Sequence, residues 1–171
     1  MHEILILYIL SGGQNTMYGL TKYISKLFGS FAKPSFGTIQ PALKRLEKKG
    51  YVKSDKFFTE GGKPYFYYSV TSDGEKHLRE KILKPPFKNP IQLIPETKIK
   101  LICSDILEDN EKKSLYKTLK TEFIKLKSET EGILTSEVFS NNHSGRMVID
   151  NTVCEYKNII DLIEGLEKCL Q

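Results

Sequence analysis

The residues whose types and spacing suggest chemistry lie in one sixteen-residue run, Ser35-Phe-Gly-Thr-Ile-Gln-Pro-Ala-Leu-Lys-Arg-Leu-Glu-Lys-Lys-Gly50. Read as a helix, it turns Ile39, Leu43 and Leu46 toward a core. Pro41, Lys44, Arg45 and Lys48 lie on the other side, with Gln40 at the edge. Amide, ammonium and guanidinium groups at a helix start are the groups that reach base edges and phosphates in a major groove. A solvated face is the plain alternative for such a run. Other chemistry is thinly represented. The three histidines (His2, His77, His143) and three cysteines (Cys103, Cys154, Cys169) are scattered, without a CxxC pair. This argues against a metal site or disulfide frame and for buried thiols. Paired carboxylates, a nucleophile elbow and a phosphate-binding glycine loop are not evident, so the expectation is a protein that is not an enzyme and carries no cofactor.

The elements that would position this helix can be read on either side of it. Ile4 to Leu10 is an apolar helix stopped at Gly12-Gly13. Thr16 is a candidate N-cap for a helix from Met17 to Phe28, with Leu20, Ile24 and Leu27 on its inner face. Pro41 suits the first turn of a helix capped by Thr38, whereas a cap at Ser35 would demand a kink; Gly50 is a natural terminator. Two strands follow, Tyr51–Phe58 and Tyr65–Val70, about a turn containing Gly61-Gly62-Lys63. Phe66, Tyr68 and Val70 are expected inward and Tyr65, Tyr67 and Ser69 outward, for backbone contact or for cross-strand pairing. Ser72 and Glu75 form a capping-box pattern that opens a helix to about Leu83. Three helices, a two-stranded wing and a fourth helix make a winged helix-turn-helix, whose third helix enters the major groove.

Charge distribution agrees with that order. The 171 residues carry a formal charge of +5, but residues 1–84 hold +7 and residues 85–171 hold −2. A basic half beside a near-neutral half suits contact with a polyanion through one part only. Pro85, Pro86, Pro90 and Pro95 mark a connector. The expected organisation is therefore 1–84 winged helix-turn-helix, 85–95 proline-rich connector and 96–171 helical region. The longest apolar run is seven residues, too short to span a membrane, and it lacks a basic leader. Cytoplasmic residence follows as the expectation.

The stretches MYGLTKYI, SFGTIQPALKRLEKKGYV and EGGKPYFYYSVTSDGEKHL together resemble the PadR-type transcriptional regulators over residues 4 to about 83. The resemblance implies a homodimeric DNA-binding repressor without enzyme activity. By position it carries Thr38, Gln40, Lys44 and Arg45 onto the recognition helix, Tyr18 onto helix 2, and Gly61, Gly62, Lys63 and Tyr65 onto the wing. Gln40 stands where the family commonly has Tyr, and Lys63 where it often has Arg, which loses the planar fork.

The C-terminal region reads as all-helical, with expected helices from Pro95 to about Leu107, Glu111 to Leu134 and Arg146 to Leu170. In the first of these Ile99, Ile102 and Ile106 form the stripe. Heptad-like seams run through Tyr116, Leu119, Phe123 and Leu126, and through Ile149, Val153, Tyr156, Ile160 and Ile163. About 75 residues cannot easily bury such stripes alone, so a second copy is expected to complete the bundle. The fold class is thus mainly α with a small β-hairpin: a winged helix-turn-helix plus a helical dimerisation region. The expected partners are double-stranded DNA, a second copy of the chain and, as the resemblance implies for some members, a small-molecule effector. The reading is of a sequence-specific transcriptional regulator that binds a pseudo-palindromic operator as a homodimer. The alternative is a winged-helix protein-interaction module that does not bind DNA.

Overall fold

The computed structural model describes residues 1–30, 32, 34–86, 89–135 and 142–170. Contacts divide the chain into two compact units, Met1–Ile106 and Leu107–Gln171.

The first unit is built around α1 (His2–Ser11), whose Ile4, Leu5, Ile6, Leu7 and Leu10 are all buried. A helix apolar nearly all round must lie inside, and this one is packed against by its neighbours. Gly13 turns the chain out of α1 with φ at +140°. A two-residue strand, β1 (Asn15–Thr16), precedes α2 (Met17–Phe28). Thr16 caps α2 as expected, its Oγ1 accepting from the Gly19 amide at 3.0 Å. The buried stripe of α2 is Leu20, Ile24 and Phe28, at a regular spacing of four. Leu27, expected on that face, is 51% exposed. Phe28 displaces it by filling the site below Tyr8, whose ring it meets edge-on at 6.1 Å.

Helix α3 spans Phe36–Lys48 and starts earlier than the spacing predicts. Ser35 is its cap, and Thr38 returns a hydroxyl to the Ser35 amide at 3.0 Å. Pro41 therefore lies inside the helix rather than at its start. A proline inside a helix forgoes one hydrogen bond and crowds the carbonyl four residues back, at about 3 kcal/mol. Closing a capping box at the early start returns about 1 kcal/mol of this, and the burial of Ile39, Ala42, Leu43 and Leu46 must supply the rest. Ile39, Ala42, Leu43 and Leu46 face the core, and Gly50 ends the helix with φ at +74°.

Strands β2 (Val52–Phe58) and β3 (Pro64–Val70) form the antiparallel wing, and β1 adds to the free side of β3 over Tyr67 and Tyr68. The sheet order is β1-β3-β2. The third strand has no signal in the sequence because it is only two residues long. Helix α4 (Ser72–Leu83) is capped by Thr71, not by Ser72. Thr71 Oγ1 accepts from the Gly74 amide at 3.1 Å and donates to the Gly50 carbonyl at 2.7 Å. Its own amide donates to the Tyr51 carbonyl at 3.0 Å. This corner fastens the wing to the end of α3. Gly74 is required in it: a Cβ there would lie 2.1 Å from the Tyr51 carbonyl oxygen.

The proline cluster does not end in a bare connector. Helix α5 runs Pro90–Cys103, capped by Asn89 with Pro90 in the first turn and Pro95 inside. Proline at the first helical position lacks only an amide that would have had no partner, which is why α5 starts five residues before Pro95. Ile99 is buried on α5, but Ile102 is 39% exposed, so the expected stripe is broken. Four polar residues take its place in the interior: Glu96, Thr97, Lys100 and Ser104. Lys100 Nζ donates to the carbonyl oxygens of Lys81, at 3.0 Å, and Lys84, and lies 3.5 Å from Glu96 Oε1. It thus terminates α4 with a cation on the last carbonyls. A short 3₁₀ turn, Ser104–Ile106, closes the unit, and Tyr8 donates to Asp105 there at 2.8 Å.

The second unit contains two helices of 26 residues each, α6 (Asp109–Leu134) and α7 (His143–Lys168). Their caps are Glu108, through a capping box with Glu111, and Asn142. The helices run antiparallel: Lys120 pairs with Glu167, and the Phe123 ring meets that of Tyr156 at 5.8 Å. Of the three thiols only Cys103 is buried; Cys154 and Cys169, expected inside, are exposed, the first because it falls off the apolar stripe of α7 and the second because it follows the last residue of that helix. Among the described residues no helix is long and apolar enough to cross a membrane.

Candidate nucleic-acid interface

The outward side of α3 follows from its buried side. With 3.6 residues per turn, the direction opposite Ile39, Ala42, Leu43 and Leu46 is occupied by Gly37, Pro41, Lys44 and Lys48. All four are exposed. Gln40 is exposed on one flank, beside Glu47. Arg45 and Thr38 lie on the other flank. Arg45 is bound there: its Nε donates to Glu3 of α1 at 3.1 Å, and its side chain is 57% exposed. The Thr38 hydroxyl accepts from the Ser35 amide and donates to the Ser35 carbonyl at 2.9 Å. The front of α3 therefore offers two ammonium groups, a glycine that lets backbone approach closely, and one amide. In the sequence Gly37 carries no signal of such a role, because a glycine at a helix start reads as a turn residue.

Tyr18 stands on the first turn of α2 and is 66% exposed. The wing turn exposes Gly61, Gly62 and Lys63. Thr59 organises it, accepting from the Gly62 amide at 2.8 Å through its carbonyl and from the Lys63 amide at 3.1 Å through its hydroxyl. Gly62 has φ at +74°, a conformation natural to glycine. Tyr65 is half-buried, in a cluster with Phe57 and Tyr67 whose ring centroids lie 5.7–5.8 Å apart. Of the two sequence readings, cross-strand aromatic pairing is the one observed. Phe66, expected inward, is 41% exposed. Its face does turn toward the core at the base of the wing, where Val52 is buried. The strands outrun the domain, however, and among the described residues of the unit nothing covers the outer half of that face.

In the second unit, Tyr116, Leu119, Phe123 and Ile163 are already buried within the single chain. Leu126, Ile149, Val153, Tyr156 and Ile160 are half-buried. A shallow groove lies between Ile124, Val153 and Ile160. Ile133, Met147, Val148 and Leu162 are exposed.

These positions can be set beside known proteins. The family model described as "Transcriptional regulator PadR-like family" matches residues 6–80. A PadR family transcription regulator from Clostridium difficile is 30% identical over 47% of this chain and 81% of that one, with a TM-score of 0.41. A PadR-like transcriptional regulator from Bacillus cereus is 31% identical over 46% of this chain and 74% of that one, with a TM-score of 0.39. The chain belongs to the PadR-like family of transcriptional regulators. Bacillus subtilis PadR, solved in complex with operator DNA, aligns over 99% of this chain and 98% of that one at 18% identity and a TM-score of 0.49. No curated protein sequence matches the chain. Within the PadR-like match fall α2, α3, the wing and the Thr71–Gly74 corner, so the part of the chain that the family model describes is the part that carries the exposed lysines of α3.

Proposed function

We propose that this PadR-like regulator represses transcription by binding a pseudo-palindromic operator as a homodimer. The front of α3 carries the reading: Lys44 and Lys48 are exposed beside Gln40 and the close-approach Gly37, on a helix held rigidly by its buried side. Lys44, Lys48 and the wing residue Lys63 contact phosphates. Gln40 reads a base edge, its amide being able to pair with adenine in two directions. Thr38, occupied in the cap, reaches DNA only by sharing its hydroxyl. Tyr18 supports the backbone from α2, and Tyr65 stiffens the wing through its ring contacts. Gly61 and Gly62 let the turn approach the duplex closely. Arg45 contacts phosphate by exchanging Glu3 for it.

The two copies associate through α6 and α7. The hairpin buries the middle of its seam internally, and the remaining half-buried face, with Val153 and Ile160 at its centre, takes the second copy. Half-sites then lie about one helical turn apart, near 34 Å. A small-molecule effector releases the operator by changing that separation, since any ligand that favours one spacing over another shifts binding. The unit Met1–Ile106 serves DNA binding and the unit Leu107–Gln171 serves dimerisation and effector response, in a protein of the cytoplasm that catalyses no reaction.

Selection of bound sequences from a random duplex pool tests this, with affinity repeated at two salt concentrations. Enrichment of an inverted repeat is the expected result. Salt-sensitive binding without enrichment overturns the operator reading, and absence of binding at low salt favours a protein-interaction module instead.

A further inference from the structure

The wing carries more exposed apolar surface than its own stability calls for. Phe58 and Phe66 are 62% and 41% exposed. They are not scattered. Strand register sets Lys56 opposite Phe66 and Phe58 opposite Pro64, so both rings share one face with Lys56. That face is the one turned toward α3. At its base Val52 is buried, and two residues further out the Ser54 hydroxyl donates to Glu47 of α3. Beyond Ser54 the face leaves the domain and consists of the two phenylalanines, Lys56 and Pro64. Lys56 Nζ stands 5.0 Å from the centroid of the Phe58 ring. Among the described residues the ring–ring contacts of the wing all lie on the opposite face, where Phe57, Tyr65 and Tyr67 satisfy one another.

Two exposed aromatic side chains with an ammonium beside them, on the side of a hairpin that looks along a lysine-bearing helix, fit a partner with apolar edges and closely spaced anions. A duplex offers both: deoxyribose edges in the minor groove, and the phosphates that border it. We propose that Phe58 and Phe66 form an apolar wedge that enters the minor groove beside the α3 site, while Lys56 meets the adjoining phosphate. This rests on the DNA-binding reading above. Such wedges open a base step and bend the duplex. Pyrimidine–purine steps yield most easily, so the wedge confers a preference in the flanks of the operator that no base-edge hydrogen bond explains.

The test uses the full-length protein, an inverted repeat from the selection and a library randomised only in its flanks. Bending is read by energy transfer between fluorophores at the duplex ends. Phe58→Ser with Phe66→Ser is expected to lower affinity about tenfold, abolish the bend and erase the flank preference, with the salt dependence unchanged. Lys56→Gln is expected to reduce the salt slope by about one unit and keep the bend. If the double variant misses the wild-type unfolding midpoint, Phe58→Ser alone carries the same expectations. Wild-type bending and flank preference in the variant overturn the wedge, as does a loss of affinity with both features retained. A change in sedimentation with unaltered DNA binding also overturns it and marks the patch as a contact between copies. If the wild-type protein binds no duplex at low salt, the wedge falls together with the reading on which it rests.

Discussion

Lys48 and Gln40 stand on the same exposed side of α3, but the first contributes a charge and the second a hydrogen-bonding pattern. Lys48→Ala is expected to weaken binding to every sequence alike and to reduce the salt slope by about one unit, measured by anisotropy titration at several salt concentrations. Gln40→Ala is expected to relax discrimination at particular base pairs by about 1–3 kcal/mol, visible as a changed selected sequence. A different kind of residue is Gly74. Its absent Cβ would sit 2.1 Å from a backbone oxygen and 2.8 Å from Val70 Cγ2. Gly74→Ala should therefore destabilise the winged unit by about 2–4 kcal/mol, read from the urea midpoint. Gly19 also faces a close neighbour, the Asn15 side chain at 1.8 Å, but a side chain can swing away, so Gly19→Ala should cost less. Exposure of Gln40, Lys44 and Lys48 was legible in the sequence because helical periodicity alone decides it. The Arg45–Glu3 pair was not, since it joins residues 42 apart and only the packing of α1 on α3 brings them together.

Elements were legible in kind more than in extent. The three helices and the wing follow from apolar spacing and turn residues. Their starts depend on which hydroxyl wins the cap, a contest among neighbours such as Ser35 and Thr38, or Thr71 and Ser72, that spacing does not arbitrate. The junction of α4 and α5 was hidden for another reason: Lys100 and Glu96 have the look of surface residues. Lys100 is 1% exposed, and burial lowers the pKa of its ammonium despite Glu96. Lys100→Met leaves the Glu96 carboxylate buried and without that cation, and is expected to cost about 3–5 kcal/mol in urea unfolding. The double change to Lys100→Met with Glu96→Leu should restore much of it. The same unit has an acid-sensitive contact. His77 of α4 stacks on Tyr51 with ring centroids 4.2 Å apart. Its pKa is lowered, chiefly by burial and then by Lys81 and Lys49, against the opposing effects of Glu80 and Glu3. The unfolded chain therefore takes up a proton at His77 before the folded one does. Stability falls as pH drops below the ordinary histidine value of 6.5 toward the folded pKa. His77→Phe should flatten that part of the stability–pH curve, the remainder being shared by His2 and the Met1 amino group, both lowered chiefly by burial.

At the scale of the whole molecule, two units with separate interiors predict separable losses. Val153→Asp with Ile160→Asp places carboxylates in the half-buried groove of the α6–α7 hairpin. On the dimer reading these changes halve the mass seen by sedimentation and lower operator affinity, while the unfolding of the winged unit is unchanged. A protein that stays dimeric would move the interface elsewhere on the hairpin. The sequence showed that stripes exist on both helices. It could not apportion them, because Leu119, Phe123 and Ile163 pack within one chain by the same periodicity that would pack them between two.

Among the described residues, the strand order β1-β3-β2 leaves the outer side of β2 without a strand partner in the unit, and β1 shelters β3 only over Tyr67 and Tyr68. Open edges of this kind are templates for strand addition. Lys53, Asp55 and Lys56 punctuate β2, and Pro64, which has no amide hydrogen, opens β3. Lys56, the charge that meets phosphate in the wedge reading, is thus, with Lys53, also the wing's guard against other wings. Stripping Lys53 and Lys56 to neutral residues should produce a protein that scatters light as its concentration rises. Its lost operator affinity would then measure colloidal failure as much as recognition.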